Sequence, residues 1–299
     1  MKLHTLCFLL LACWVANVAQ ATKPTVQVAT LKPTPDPSEE SRPIWKKLDP
    51  GKLELGSTSA LIVDRFGNEI YGKNADQARP IASITKLMTA IVILDSSLPL
   101  DRDITITSED RDLLRQTGSR LKPGATLTRR ELLQLALMSS ENRAASALAR
   151  TFPAGKDLFL VFMNEKARAL GMHNTRFTDP TGLDTGNRST PRDLVKLIKA
   201  AMRYPIIREA TTTRSSRVAP YKQRGELRFG NTNLLLASEK WDIAVSKTGY
   251  INESGRCLVM QAEIENQAVI IVLLNSFGKL TPFGDSNRIR KWIEAAMNS

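Results

Sequence analysis

The stretch Pro80-Ile81-Ala82-Ser83-Ile84-Thr85-Lys86-Leu87-Met88-Thr89-Ala90 constrains this chain more than any other. Ile84, Leu87, Met88 and Ile91, with Leu94 beyond, recur at steps of three and four, the period of a helix packed on a core. Pro80 limits how far that helix can extend backward. Ser83 is therefore expected near the helix N-terminus, where unpaired N–H groups and the positive dipole end favour negative charge. Lys86 follows three residues later, so hydroxyl and amine share a face with Cβ atoms about 5–6 Å apart. A lysine beside an apolar stripe is either exposed or buried with a lowered pKa. The second case is a serine nucleophile with an amine as its base.

Residue usage favours the amine. Lys2, the apolar run Leu6 to Val18 and the small-x-small site Ala19-Gln20-Ala21 read as a secretory signal peptide over residues 1–21, cleaved after Ala21. The run is too short for a comfortable membrane span, so no integral span is expected in the mature chain. Leu10-Leu11-Ala12 before Cys13 offers a lipoprotein alternative, but the apolar run continues past Cys13 and the better site follows it. Cleavage removes Cys7, Cys13 and His4 and leaves Cys257 and His173. One cysteine makes no internal disulfide. One imidazole and one thiol do not make a zinc site of the usual kind, so no metal and no cofactor is expected. A Ser-His-Asp triad would have to use His173, which lies in a helix-ending segment, Gly171 to Thr175, and reads as a surface or capping residue. Cys257, within Cys-Leu-Val-Met, reads as a buried structural thiol.

The formal net charge of +12 calls for an anionic partner: nucleic acid, a membrane surface or a cell-wall polymer. Aromatics make up only 6% and do not interleave with the basic residues, which argues against nucleic acid. Residues 22–50 carry Pro24, Pro33, Pro35, Pro37, Pro43 and Pro50 and read as a linker. Residues 51–299 read as a single catalytic domain.

Within that domain, Ser57 to Val63 and Glu69 to Tyr71 form a hairpin about a turn containing Gly67. Ile104 to Thr107 is a short strand. Thr128-Arg129-Arg130-Glu131 is a capping box opening one helix, and an alanine-rich helix follows Ser139-Ser140-Glu141-Asn142. Leu158 to Leu170 is helical, as is a segment from Thr190-Pro191 to about Arg203. Thr211 to Val218 is an exposed basic strand or loop. Ile243 to Val245, Cys257 to Ile264 and Val269 to Leu274 read as an antiparallel meander, and Arg288 to Met297 as a final helix. Helices in the middle and strands at both ends predict an α+β fold: an antiparallel sheet of N- and C-terminal strands flanked by helices, plus a mainly helical subdomain.

Ser-x-x-Lys alone is weak, since Ser119 to Lys122 and Ser276 to Lys279 match it too. Only Ser83 to Lys86 has a helical context. Two further signals stand downstream of it: Ser140-Glu141-Asn142 in a tight helix–helix junction, and Lys247-Thr248-Gly249 at a strand end. This ordered set resembles that of penicillin-binding proteins and class A β-lactamases.

Residues Arg79 to Ala90 resemble the signature of the low-molecular-mass penicillin-binding proteins, the D-alanyl-D-alanine endopeptidases and carboxypeptidases of peptidase family S11. Phe177-Thr178-Asp179-Pro180-Thr181-Gly182-Leu183-Asp184 and Asn231-Thr232-Asn233 match it as well, and the likeness runs from about Leu53 to Trp292. The resemblance implies a penicillin-binding-protein-like transpeptidase fold and a periplasmic enzyme acting on peptidoglycan peptide stems, with β-lactams as covalent inhibitors. It implies Ser83 as acylated nucleophile, Lys86 as base, its pKa lowered by burial and by Lys247, and Ser140 as proton relay. Asn142, Lys247, Thr248, Gly249 and Tyr250 would hold substrate, with the Ser83 and Tyr250 N–H groups as oxyanion hole. A further arginine of related carboxypeptidases has no clear counterpart, Arg288 being a candidate. No Glu-x-x-Leu-Asn segment lies between Asn142 and Lys247, so β-lactam hydrolysis is not expected. The carboxypeptidases resembled here usually carry a second, β-rich domain and a C-terminal amphipathic anchor, whereas this sequence stops at Ser299, right after the helix expected to close the catalytic domain. That resembles the endopeptidase branch of the penicillin-binding protein 7 type, which cuts D-alanyl–diaminopimelate cross-links. A carboxypeptidase trimming pentapeptides and a non-catalytic basic wall-binding scaffold are the alternatives.

Overall fold

A computed structural model describes residues 45–223 and 225–297. The expected signal peptide, residues 1–21, and all but the end of the expected linker lie outside the described residues.

The N-terminal hairpin forms as expected from β1 (Ser57–Asp64) and β2 (Glu69–Lys73). Asp64 Oδ1 accepts from the N–H groups of Phe66, Gly67 and Asn68, and Gly67 takes a φ of 101° that suits glycine. Three short strand pairs follow: β3 (Arg79–Pro80) with β6 (Arg188–Ser189), β4 (Asp103–Thr105) with β5 (Thr126–Thr128), and β7 (Ser215–Val218) with β8 (Leu227–Gly230). The expected meander is β9 (Asp242–Ile251), β10 (Gly255–Ile264) and β11 (Gln267–Ser276). β11 returns to pair with β1, Leu61 opposite Val272 and Ile62 opposite Ile271. The resulting 5-stranded antiparallel sheet has the order β2-β1-β11-β10-β9, so both chain ends build it and β9 is an edge.

The helices are α1 (Thr85–Asp95), α2 (Arg129–Met138), α3 (Asn142–Arg150), α4 (Gly155–Ala169), α5 (Pro191–Ala201), α6 (Pro205–Thr212) and α7 (Thr281–Met297). The capping box is present at α2, where Thr128 Oγ1 accepts from Glu131 N at 3.2 Å and Glu131 Oε2 accepts from Thr128 N at 2.8 Å. α6 was not expected, and α7 begins before the expected Arg288. In both, a proline that reads as a breaker sits in the first turn, where its missing N–H is tolerated.

The period of two sends alternate sheet residues to two cores. Leu61, Val63, Val259, Ile270 and Val272 face the helical side, with α1, α2, α3 and α5. Ala60, Ile62, Leu258, Met260 and Ile271 face the other, closed by Ile289 and Ile293 of α7. Covering both faces is why these strands read as continuous apolar runs. α1 runs through the middle of the first core and is buried on every side from Thr85 to Ile93, not along one stripe. Ile84, Leu87, Met88 and Ile91 are each fully buried, a contribution of about 1.5–3 kcal/mol per side chain before cavity terms. That rigid rod fixes the residues at its start.

Candidate active site

Ser83 lies in a 3-10 turn, Ala82–Ile84, and not in the first turn of α1, which starts at Thr85. The turn is strained: Ala82 has a φ of 47°, in the left-handed region. Two glycines hold it. A Cβ on Gly182 would stand 2.0 Å from Ala82 O and 2.8 Å from Ser83 N. A Cβ on Gly249 of β9 would stand 2.8 Å from Ile81 O and 3.2 Å from Ser83 N. The serine's backbone is thus wedged between the edge strand and a loop, and only missing side chains make room.

That loop is built by a carboxylate. Asp179 Oδ1 accepts from Thr181 N at 2.6 Å and Gly182 N at 2.9 Å, and Oδ2 accepts from Asp184 N at 2.9 Å and Asn187 Nδ2 at 2.9 Å. The Asx-type turn presents the Thr181 carbonyl inward. Lys86 Nζ meets it at 2.7 Å, and meets Asn142 Oδ1 at 2.7 Å and Ser83 Oγ at 2.9 Å. Two of those partners are carbonyl acceptors and the third is a hydroxyl. A neutral amine satisfies all three: its two N–H bonds donate to the carbonyls and its lone pair accepts from Ser83 O–H. Burial lowers the Lys86 pKa from 10.5 to about 7, against Asp179 and Glu141, whose charges favour the protonated form.

The orientation of the Asn142 amide is fixed from behind. Its Nδ2 donates to Thr117 Oγ1 at 3.0 Å, and the Thr117 hydroxyl donates to Asp112 Oδ2 at 2.7 Å. Burial raises the Asp112 pKa, but N–H groups of Arg115, Thr117 and Leu114 and the Thr117 hydroxyl outweigh it, and the net shift is downward. An ionised Asp112 only accepts, so Thr117 must accept from Nδ2 and Oδ1 must face Lys86.

Lys247 is also fully buried and donates to the carbonyl of Thr248 at 3.0 Å. Its pKa is lowered well below 10.5, by burial first and then by the charge of Lys86. The like-charge repulsion expected at Lys86 is thus felt at Lys247. Lys247-Thr248-Gly249-Tyr250 lies within β9, which continues to Ile251, and not at a strand end. Thr248 Oγ1 bonds Thr232 Oγ1 at 2.6 Å.

Ser83, Ser140, Asn142, Thr248, Gly249 and Tyr250 line one cleft of about 420 Å³. Ser140, at a φ of 60° between α2 and α3, enters it from the helical side. The cleft brings together every sequence-predicted site residue except the two lysines, which lie beneath its floor. It also collects Asn231 and Thr232, which the resemblance had singled out without a role, and Thr117, Arg256 and Lys279, which sequence reasoning missed. Arg288 is not among them: it pairs with Asp285 at 2.8 Å, a buried carboxylate that ties α7 to Gly56 and Ser57. Lys279, from the unused match Ser276 to Lys279, is the cation that reaches the cleft from this end of the chain. His173 is exposed beyond α4 and lines no part of the cleft. Burial pushes the Cys257 thiol up to about 11, as fits an inert structural cysteine. Among the described residues no group of His, Cys, Asp and Glu could hold a metal ion.

Known proteins resemble this chain in sequence and fold. The sequence pattern of peptidase S11, D-alanyl-D-alanine carboxypeptidase, matches residues 46–278. A D-alanyl-D-alanine endopeptidase of Pseudomonas aeruginosa is 48% identical over 246 residues, 82% of this chain and 79% of that one. One of Escherichia coli is 46% identical over 242 residues, 81% and 78% of the two chains. The crystal structure of the Streptomyces K15 DD-transpeptidase superposes with a TM-score of 0.75 at 31% identity, over 82% of this chain and 99% of that one. With the fold, the motifs and these relatives in agreement, the chain belongs to the S11 family of serine DD-peptidases.

Proposed function

We propose that this protein is a D-alanyl-D-alanine endopeptidase that hydrolyses D-alanyl–diaminopimelate cross-links of peptidoglycan through an acyl-enzyme on Ser83. The observation that carries the mechanism is the 2.9 Å contact of Lys86 Nζ with Ser83 Oγ beside two carbonyl acceptors, which with the Lys86 pKa lowered by burial suits an amine that receives the Ser83 proton. Ser83 Oγ attacks the D-alanyl carbonyl and passes its proton to Lys86 Nζ. The developing oxyanion takes the N–H groups of Ser83 and Tyr250. Ser140 hands a proton from Lys86 to the leaving amine, and the peptide bond breaks. Water then adds to the acyl-enzyme by the same route in reverse. Asn142 orients Lys86 and the substrate amide. The leaving group carries a carboxylate, which Thr248 and Lys279 of the cleft receive, with Lys247 buried behind Thr248 as the nearby positive charge. That anion restores the charge of Lys247, and a charged Lys247 in turn holds Lys86 neutral.

Cleavage of cross-links, as opposed to terminal D-alanine, rests on the relatives named endopeptidases at 48% and 46% identity, against 34% for the Streptomyces K15 carboxypeptidase. The cationic end of the cleft, Arg256 and Lys279, suits a leaving stem with further carboxylates. The compartment that follows is the periplasm, with residues 1–21 as signal peptide and 51–299 as catalytic domain. β-Lactams, which carry a carboxylate beside a strained amide, acylate Ser83 and leave slowly.

Purified cross-linked muropeptide dimers test the assignment: the protein releases monomers from them. Release of terminal D-alanine from pentapeptides alone makes it a carboxypeptidase, and absence of a penicillin adduct in the mass spectrum makes it a scaffold. Thr117→Val removes the acceptor that holds the Asn142 amide and is expected to slow penicillin acylation about tenfold, near 1.4 kcal/mol of barrier, while Thr117→Ser keeps the rate. Equal rates for both variants sink the role given to Thr117.

A further inference from the structure

The net charge of +12 is not explained by a cleft whose two motif lysines are buried. Part of the excess is gathered on two adjoining segments. Arg214, Arg217, Lys222 and Arg228 on the β7–β8 hairpin and Arg120 and Lys122 on the neighbouring loop are all exposed. The two segments, residues 118–124 and 213–230, contain a single acid, Glu226, which pairs with Arg217 at 3.6 Å. The other five cations form no ion pair with a described residue. The segments are fastened into one platform: Arg120 packs over the Phe229 ring at 4.0 Å and donates to Arg228 O, and Lys122 N donates to Tyr221 Oη at 2.8 Å.

The hairpin register makes the platform unfavourable in isolation. Arg217 and Arg228 stand directly opposite each other on one face, an arrangement in which like charges destabilise the ladder. A polyanion laid along that face removes the repulsion. The platform also starts at the rim of the cleft. β8 leads straight into Asn231 and Thr232, which line it, and Asn231 N donates to the carbonyl of Arg214 at 2.8 Å. On the other segment, Thr117 of the cleft wall precedes Arg120 by three residues.

We propose that this hairpin-and-loop platform is an exosite for intact peptidoglycan, gripping the carboxylates of stem peptides outside the cleft while one cross-link is cut. The inference rests on the endopeptidase reading for its substrate. A 420 Å³ cleft holds only the peptide around the scissile bond, whereas the polymer presents free carboxylates on every stem. Cations within a Debye length of that mesh raise the local concentration of cross-links and weaken as salt rises.

The test uses the triple variant Arg214→Glu/Arg217→Glu/Arg228→Glu and a control of equal charge change, Lys52→Glu/Lys240→Glu/Lys291→Glu, three exposed lysines on other elements. Co-sedimentation with purified sacculi and release of soluble fragments from them are measured at low and high salt, beside cleavage of soluble dimers and penicillin acylation. The hairpin variant is expected to lose about tenfold in sacculus binding and digestion at low salt, with dimers and penicillin turned over at the parent rate. The parent's advantage disappears at about 1 M salt. Equal losses in the control variant overturn the proposal, since bulk charge then suffices. Unchanged sacculus binding in the hairpin variant overturns it, as does a parallel loss on dimers and penicillin. If the parent fails to cut dimers, the endopeptidase reading falls, and the sacculus-binding arm still decides the exosite.

Discussion

Lys86→Ala is expected to slow acylation of Ser83 by a labelled penicillin about 1000-fold, the range of a lost general base, with Ser83→Ala setting the floor of no labelling. The pH profile separates a base from a structural lysine. Only the neutral amine accepts the Ser83 proton, and its pKa lies at about 7. In the parent protein the acylation rate therefore falls as pH drops through about 7, approaching tenfold per unit below it. In Lys86→Ala the residual rate loses that limb. The same shift enters stability with a definite sign. Folded Lys86 releases its proton near 7 and the unfolded lysine near 10.5, so between those values the unfolded state binds more protons. Stability rises with pH across that window, and Lys86→Met removes this share of the slope while Lys247 keeps its own. A parent rate flat from pH 5 to 9 contradicts a neutral-lysine base.

The sequence made the reactive pair legible because a serine and a lysine one helical turn apart is a local pattern, and their apolar neighbours gave the period. The sheet was legible for the same reason: β-branched runs at both chain ends have a local signature. What escaped lies in contacts that have none. The Thr181 carbonyl that receives Lys86 is a backbone atom 95 residues away, brought in by the Asp179 turn. Thr117 and Asp112 sit in a loop with no period, and their influence on Asn142 comes only through the fold. The family resemblance singled out Phe177 to Asp184, but only the geometry shows that this segment carries a carbonyl and a glycine to opposite sides of Ser83. Pro205 and Pro282 were misleading because proline stops a helix interior but suits its first turn. Lys247 looked like the end of a strand since polar residues interrupt the apolar run. β9 tolerates them because its far side is the sheet edge that faces the Ser83 turn.

The second large effect belongs to a residue with no side chain. Gly182→Ala is expected to reduce acylation of Ser83 at least about 100-fold, although Gly182 contributes nothing to proton transfer. Its φ of 86° already disfavours alanine, and the new methyl would meet the Ala82 carbonyl carbon at 2.3 Å and its oxygen at 2.0 Å. No flexible side chain can yield there; the backbone of the Ala82–Ile84 turn must move, and Ser83 moves with it. A displacement of about 1 Å suffices for a loss of that size, because Lys86 stays behind, held by Asn142 and Thr181. Gly249→Ala presses on the same turn from the β9 side with less severity, its nearest approach being 2.8 Å and its φ unstrained. Gly118→Ala, with nothing within 4 Å of the new methyl, serves as the neutral reference. Labelling rates ordered Gly118→Ala, Gly249→Ala, Gly182→Ala from fastest to slowest, with native circular dichroism in all three, place the constraint in the backbone behind Ser83. Equal rates in the three variants show instead that the turn relaxes freely, and the strain at Ala82 then has no part in positioning the nucleophile.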